Sequence, residues 1–408
     1  MAPQPSRLSR LSRLWSAHDS EWRDPAQVIS QWSGAGAAGQ ELLRFRIRGD
    51  WWDVLAEHKI TLLVTREYEH LVIALSPGWR RGERHAQTYL RLPHPSGLAA
   101  DRKRGVVYVA STRNPNQVYD LAPVSGLVDR SDVSPMGERY LAEFRPLIPI
   151  RSRFMPGSLY LHDLAMVGGR LYGNAVGENA VVRIHDDGRA ERVWWPRCIE
   201  TPDGPVFTRN HLQLNSIAAG ADLKKSFFSA STDRLTNRRP SHRNFPVDRR
   251  GVVFSGASRD VIARGLTRPH SARLSAGKLW IDNSGYGEFG VVRAGKLEPL
   301  VKLPGWTRGL CFHQGVAFVG TSRVIPRFRQ FAPGLDVDSS ICGVHAIDVG
   351  KGTILGSLSW PVGNQIFAID WLPSSLSRGF PFRSDRKAPE QERVLFYAFN
   401  RETRKGAA

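Results

Sequence analysis

The chain has 408 residues and a formal net charge of +19, with 41% hydrophobic and 23% charged residues. These values fit one large domain or two ordinary ones, and they exclude wholesale disorder. No run of 18 apolar residues occurs, so no membrane-spanning helix is predicted. Most basic residues are arginines, and they form no compact stripe interleaved with aromatic residues. The charge therefore favours arginines scattered over the surface rather than a nucleic-acid interface.

The three cysteines are Cys198, Cys311 and Cys342. Their number is odd and none of them forms a Cys-x-x-Cys pair, so neither a disulfide framework nor a zinc cage is indicated. The N-terminus carries arginines at every third position and no apolar segment of a secretory signal. Together these features predict reduced thiols in a cytoplasmic protein.

Residues 1–40 are polar and end in a Gly/Ala-rich stretch, which predicts an N-terminal extension outside the main fold. Strand signals begin at 60–65 and 70–75, where short runs of β-branched and aliphatic residues flank a polar turn. One unit then recurs: a small apolar strand, a Gly-containing or charged turn, and a second apolar strand. The copies span 96–121, 162–184, 215–254, 270–292, 308–347 and, more weakly, 367–400.

Six copies of several short strands each predict an all-β fold, a six-bladed β-propeller over residues 41–402 with a short tail at 403–408. The early strands at 60–75 would complete the last blade, so strands from both ends of the chain would close the ring. Stretches 222–250, 324–340 and 373–392 are expected to be loop insertions, the first of them strongly basic. The alternative is an open pair of β-sandwiches in which the repetition is accidental.

Several segments within residues 60–372 resemble, in the same order, a bacterial family of conserved hypothetical proteins. That family is classed as a domain of unknown function and is sometimes found beside tetratricopeptide repeats. The resemblance implies a propeller-like fold and brings no established activity. It is carried by Leu161-His-Asp-Leu-Ala-Met-Val-Gly-Gly, His211-Leu-Gln-Leu-Asn-Ser-Ile-Ala, Arg268-Pro-His-Ser-Ala-Arg-Leu, Asp282-Asn-Ser-Gly-Tyr-Gly-Glu-Phe-Gly and Leu303-Pro-Gly-Trp-Thr-Arg-Gly-Leu-Cys-Phe.

Aligning the copies places six residues at one equivalent position, at the start of each innermost strand. Because innermost strands line the channel of a propeller, these side chains are expected to converge at one end of it. They are Ser96, His162, Asn215, His270, Arg308 and Phe367.

This ring predicts a divalent metal centre of unspecified identity, with His162, His270, Asn215 and the nearby His211 as ligands. Asp163 would orient an imidazole or act as a base. Arg308 would anchor a carboxylate, phosphate or sulfate through paired hydrogen bonds. The competing interpretation is structural, because polar residues of a channel often only hold water and connect neighbouring blades.

Two functions follow from these alternatives. The first is a cytoplasmic, metal-dependent enzyme that acts on a small anionic or carbonyl-bearing substrate at the channel mouth. The second is a non-catalytic scaffold whose propeller top, with the basic insertion, holds a protein or an acidic ligand. Neither function involves nucleic acid or a membrane, and no sequence motif identifies the substrate or the reaction.

Overall fold

The computed structural model describes residues 12–13, 16, 38–78, 85–113, 115–124, 126–127, 144–236, 240, 242, 244–384 and 399–400. These residues form six antiparallel sheets of four or five strands, arranged as the blades of a β-propeller. The predicted fold class and number of blades are therefore confirmed. The predicted extension 1–40 and tail 403–408 lie almost entirely outside the described residues, so these two boundaries stay predictions.

We number the blades along the chain and give their strands from the channel outwards. Blade 1 contains Ile369–Pro373, Ile60–Arg66, Leu71–Pro77, His85–Arg91 and Phe382–Arg383. Blade 2 contains Pro95–Asp101, Val106–Ser111, Asn116–Pro123 and Leu147–Met155. Blade 3 contains Leu161–Val167, Arg170–Ala175, Ala180–Ile184 and Ala190–Trp194.

Blade 4 contains Leu214–Ala218, Phe227–Ala230, Gly251–Ser255 and Val261–Leu266. Blade 5 contains Pro269–Ser275, Lys278–Asn283, Glu288–Arg293 and Lys296–Lys302. Blade 6 contains Trp306–His313, Val316–Ser322, Cys342–Asp348, Thr353–Trp360 and Arg46–Gly49. Two short strand pairs stand apart from the blades, Glu200–Thr201 with Gly204–Pro205 and Gly126–Leu127 with Phe399–Asn400.

Helices are few and short. The α-helices of the described propeller are Gln40–Leu43 and Trp51–Glu57, and the second buries Trp51 and Leu55 against blades 1 and 6. Single 3₁₀ turns occur at Val176–Glu178, Arg197–Ile199, Ser284–Tyr286 and Pro326–Phe331. Within the described ranges, every helix falls short of the length and apolarity needed to cross a bilayer.

Strands from both ends of the chain close the ring, as predicted. Ile369–Pro373 is the innermost strand of blade 1 and pairs antiparallel with Ile60–Arg66, whose seven residues are all buried. The sequence-based expectation that 394–400 would supply the neighbouring strand is wrong for the two residues the structure describes there. Phe399 and Asn400 pair instead with Leu127 and Gly126.

The predicted insertions at 222–250 and 324–340 pack against each other. The first is shorter than expected, because Phe227–Ala230 within it is the second strand of blade 4. Phe245 and Val247 of the first insertion form one hydrophobic cluster with Phe331 of the second and with Trp306 at the start of blade 6. The insertions therefore cover one end of the channel and are not free surface loops.

The innermost strands of blades 2 to 6 each contain a β-bulge near their start. A bulge adds one residue to a strand and redirects the side chains around it. In several blades the redirected side chain binds the next blade: Asp163 accepts a hydrogen bond from Ile217 N–H (3.0 Å), and Ser271 accepts one from Gly309 N–H (2.7 Å). Side chains one residue after the aligned positions thus connect neighbouring blades by hydrogen bonds along the channel wall.

Candidate functional site

A cavity of about 190 Å³ lies at the end of the channel that the two insertions cover. Four of the six aligned residues line it: His162, His270, Arg308 and Phe367. The expected convergence of residues from separate blades is therefore observed. Ser96 does not reach the cavity, because its hydroxyl donates to the carbonyl of Leu161 in the next blade (2.8 Å).

A second ring of residues stands two positions before the first ring, and in five of the six blades its member lines the cavity. Both rings therefore face the ligand space in most blades. In four blades this earlier residue has a left-handed backbone, with φ of 43° at His94, 50° at Tyr160, 49° at Gln213 and 53° at Arg268. Non-glycine residues adopt this conformation at an energetic cost, and such strain is concentrated at functional sites. The members of this ring that line the cavity are Tyr160, Gln213, Arg268, Trp306 and Gln365.

Arg308 projects into the cavity with its guanidinium stacked on Phe367, 3.3 Å from the ring centre. With its amide oxygen turned towards Arg308, Gln365 accepts from Nη1 (2.9 Å) and donates to a carboxylate oxygen of Glu67 (3.0 Å). Among the described residues, no carboxylate lies within 4.0 Å of the Arg308 guanidinium. The side chain is therefore held in place while most of its hydrogen-bonding capacity remains available.

Arg268 is held in the same manner and is almost fully buried, with 5% of its surface exposed. Its Nη1 donates to Gln213 Oε1 (2.7 Å) and to the carbonyl of Pro240 (3.2 Å), and its guanidinium stacks on Phe331, 4.7 Å from the ring centre. Its Nε–H has no acceptor in the described part of the chain. Residues of both insertions thus position this cation.

The two histidines are neutral at physiological pH. Burial lowers the pKa of His162 and of His270 well below the ordinary value of 6.5, and the charges of Arg308 and Arg268 lower both pKa values further. His270 Nδ1 lies 2.8 Å from the carbonyl oxygen of Arg268, which can only accept. Nδ1 therefore carries the proton, and Nε2 keeps its lone pair.

The arginines at the cavity remain charged. Burial lowers the pKa of Arg268 to about 9 and that of Arg308 to about 10, both well above neutrality. Arg113 and Arg323 also border the cavity, whereas Glu67 is the one acidic side chain among its described lining residues. The lining thus carries an excess of positive charge in partly desolvated surroundings.

Three predicted site residues occupy other positions. Both carboxylate oxygens of Asp163 bind Arg273, at 2.7 and 3.0 Å, outside the cavity lining, so its contacts give no support to the predicted role as a base beside His162. His211 Nδ1 lies 3.1 Å from the carbonyl oxygen of Thr236, also outside the cavity lining. Asn215 donates to the carbonyl of Pro269 (2.9 Å), and its amide raises the pKa of His162 against the stronger lowering effects.

The residues present do not fit the predicted divalent metal. Throughout the described ranges, no group of three or more His, Cys, Asp or Glu side chains is arranged to hold a metal ion. His162 and His270 are accompanied by the buried Arg268 and the half-buried Arg308, whose positive charges would oppose a cation. The lining thus combines neutral imidazoles with cationic guanidiniums, a set of groups unsuited to holding a divalent cation.

Arg268, Trp306 and Gln213 belong to this site although the aligned ring did not include them. Each stands two residues before an aligned position, so the alternation of side chains along the strand was the signal that could have found them. Phe328 and Phe331 come from the second insertion, and no periodic pattern places them at the channel.

Solved structures with a similar architecture are distant relatives at most. A chain of a nidogen/laminin complex is 11% identical with a TM-score of 0.47, over 76% of this chain and 98% of that one. A protein of unknown function from Bacteroides caccae is 11% identical with a TM-score of 0.44, over 76% of this chain and 97% of that one. A gluconolactonase from Xanthomonas campestris is 14% identical with a TM-score of 0.39, over 74% of this chain and 86% of that one.

Sequence comparison is more informative at the level of the family. No curated protein sequence matches this chain. A family model described as "Domain of unknown function (DUF4915)" matches residues 49–378, which include the four inner strands of every blade and the whole cavity lining. The resemblance seen in the repeated segments is therefore confirmed, and the chain belongs to the DUF4915 family.

Proposed function

We propose that this propeller is a cytoplasmic protein that binds a small anionic molecule at the channel mouth, between Arg308 and Arg268. The observation that carries the proposal is a pair of guanidiniums, Arg268 almost fully buried and Arg308 half-buried, that are held by neutral partners: Gln365 and Phe367 for Arg308, Gln213 and Phe331 for Arg268. Burying a cation without a bound counter-charge is unfavourable, so a ligand anion would stabilise both side chains.

The free N–H groups of Arg308 support an acceptor-rich ligand, because only its Nη1 has an acceptor among the described residues, the amide oxygen of Gln365. A carboxylate or phosphate offers several lone pairs and accepts from arginine in paired geometry. The ligand would therefore make hydrogen bonds that the protein leaves open.

Calorimetric titration tests this proposal, with sodium acetate and inorganic phosphate as probes at constant ionic strength. We expect each to bind the native protein, and Arg308→Gln or Arg268→Gln to weaken binding about 10- to 100-fold, the usual worth of a charge-assisted hydrogen bond. Arg293→Gln is the matched control, because Arg293 is exposed and pairs with Glu298 outside the cavity.

Equal affinity in all four proteins would show that any anion binding is non-specific surface attraction and would contradict the proposal. Circular dichroism melts of the variants check that the fold is kept. Loss of binding in Arg308→Gln alone, with an unchanged melting curve, would still locate the anion at the cavity.

A second candidate, an enzyme acting on a carbonyl-bearing anion, is favoured by one observation. His270 is a neutral imidazole with its proton fixed on Nδ1, so Nε2 is available as a base at neutral pH. Hydrolysis of 4-carboxyphenyl acetate, an anionic ester, would be compared in the native protein and His270→Gln. Turnover above background that His270→Gln abolishes would support catalysis. Equal hydrolysis rates in the two proteins would contradict catalysis by His270 and leave anion binding as the proposed function.

A further inference from the structure

The cavity is lined by aromatic side chains as well as by arginines, and these aromatic side chains indicate the shape of the ligand. Six aromatic side chains line it, contributed by blades 1, 3 and 6 and by the second insertion. They are Tyr68, Tyr160, Trp306, Phe328, Phe331 and Phe367. A site for an inorganic anion alone has no need of such walls, because aromatic faces provide area for stacking and no charge.

The aromatic side chains on the side of Arg268 form a connected set. The ring centres of Trp306 and Phe328 are 6.0 Å apart, and those of Trp306 and Phe331 are 6.5 Å apart, both in edge-on arrangements. Trp306 also contacts the His270 ring at 6.1 Å. Phe328 is only half-buried, so part of its ring remains open to a ligand.

The two arginines are rigid parts of this arrangement. Each guanidinium has one face covered by a phenyl ring, Phe367 for Arg308 and Phe331 for Arg268. Stacking fixes the plane of a guanidinium and leaves its N–H edge free for an acid group. The acid-binding edges and the aromatic walls therefore belong to one preorganised surface.

The volume of the cavity limits the size of the ligand. An apolar cavity of about 150 Å³ accommodates benzene. The present cavity of about 190 Å³ therefore has space for one six-membered ring and one acid group. A dinucleotide or an oligosaccharide would have to leave most of its atoms outside.

We propose that the ligand is a single-ring aromatic anion, such as an aromatic carboxylate. Its acid group binds Arg308 and Arg268, and its ring packs against Trp306 and Phe328. This inference rests on the proposed function and extends it from an anion to an aromatic anion.

Calorimetric titration with four matched probes tests the inference on the full chain. Benzoate carries both features, benzamide lacks the charge, acetate lacks the ring, and cyclohexanecarboxylate replaces the flat ring with a saturated one of similar size. We expect benzoate to bind at least 10-fold more tightly than acetate and benzamide. We expect it to bind about 2- to 10-fold more tightly than cyclohexanecarboxylate, the range of an aromatic contact.

A wall variant and the NMR signals of the bound ligand give two independent readouts. Phe328→Leu keeps an apolar side chain in an insertion, outside the blades, and should reduce benzoate affinity several-fold while leaving acetate affinity unchanged. Proton NMR should show upfield shifts of the bound benzoate ring signals, which Arg308→Gln abolishes and Arg293→Gln preserves.

The outcomes separate the two proposals. Equal, Arg308-dependent affinities for acetate, benzoate and cyclohexanecarboxylate would overturn the aromatic ligand and retain the anion site. Equal affinity for benzamide and benzoate, or binding that Arg308→Gln and Arg268→Gln leave unchanged, would overturn the anion site itself and the present inference with it.

Discussion

Buried histidines couple the stability of this protein to pH. His162, His270 and His345 all have pKa values lowered by burial, that of His345 to about 4. In the unfolded chain each imidazole has its ordinary pKa of 6.5. Below pH 6.5 the unfolded state therefore binds more protons than the native state, and the free energy of unfolding falls with falling pH.

His345 offers the sharpest measurement of this effect, because it lies away from the cavity lining and is enclosed by Thr321 (3.0 Å) and Ser357 (2.8 Å). We expect the free energy of unfolding in urea to fall between pH 6.5 and pH 5.5. The fall should be smaller in His345→Gln by up to about 1.4 kcal/mol, the value of one proton per pH unit. An identical pH dependence in both proteins would contradict a neutral buried imidazole.

The meeting of the aligned residues at one end of the channel was predictable from the sequence. The hydrogen-bond partners of the neighbouring side chains were not. The period of the repeats was enough to bring His162, His270 and Arg308 to one cavity. The side chain of Asp163 points elsewhere because the bulge between Leu161 and Leu164 redirects it towards Arg273. A bulge depends on backbone conformation that neither composition nor alternation reveals, so a base was predicted at Asp163 where the structure has an ion pair with Arg273.

The β-bulges of the innermost strands stabilise the ring, because side chains at the bulges form hydrogen bonds with the next blade. At equivalent positions of blades 5 and 6 the backbone is left-handed, with φ of 54° at Ser271 and 89° at Gly309. Glycine adopts this conformation freely, and serine does so at a cost of about 1–2 kcal/mol. Ser271 is nevertheless present, and its hydroxyl accepts the hydrogen bond from Gly309 N–H.

A pair of variants separates the two effects. Ser271→Ala loses the hydroxyl and keeps the strained backbone, whereas Ser271→Gly loses the hydroxyl and removes the strain. We expect Ser271→Ala to lower the free energy of unfolding by about 1–3 kcal/mol, the cost of leaving a buried N–H unpaired. Ser271→Gly should be about 1 kcal/mol more stable than Ser271→Ala.

Equal stability of these two variants would mean that the left-handed conformation stores no strain. Gly309→Ala provides a further comparison at the neighbouring blade. A methyl group there would lie 2.8 Å from Ile369 Cγ1, on a backbone with positive φ. This variant should be the least stable of the three.

Six blades in one ring make the stability of the whole molecule depend on the strand that closes it. A chain ending at Asn364 lacks Ile369–Pro373, so Ile60–Arg66 would expose one hydrogen-bonding edge and much of its apolar surface. We expect this chain to show no cooperative thermal unfolding and to aggregate. A chain ending at Ser384 keeps all six sheets and should melt like the full-length protein.

Thermal denaturation followed by circular dichroism and light scattering distinguishes these outcomes. A cooperative transition in the chain ending at Asn364 would show that the blades are stable without closure. The number of blades and the closing pair were predictable from strand periodicity. The covering of the channel was not, because Phe245, Val247 and Phe331 pack through loops without a repeating pattern.

Closure by the last strand also affects how the protein is made. Ile60–Arg66 leaves the ribosome early, whereas its partner Ile369–Pro373 follows roughly 300 residues later, after about 15–60 s at typical translation rates. During that interval the nascent chain carries an apolar strand whose inner neighbour has not yet been synthesised. The open edge of the first blade is therefore exposed to pairing with other chains until synthesis of its partner strand is complete.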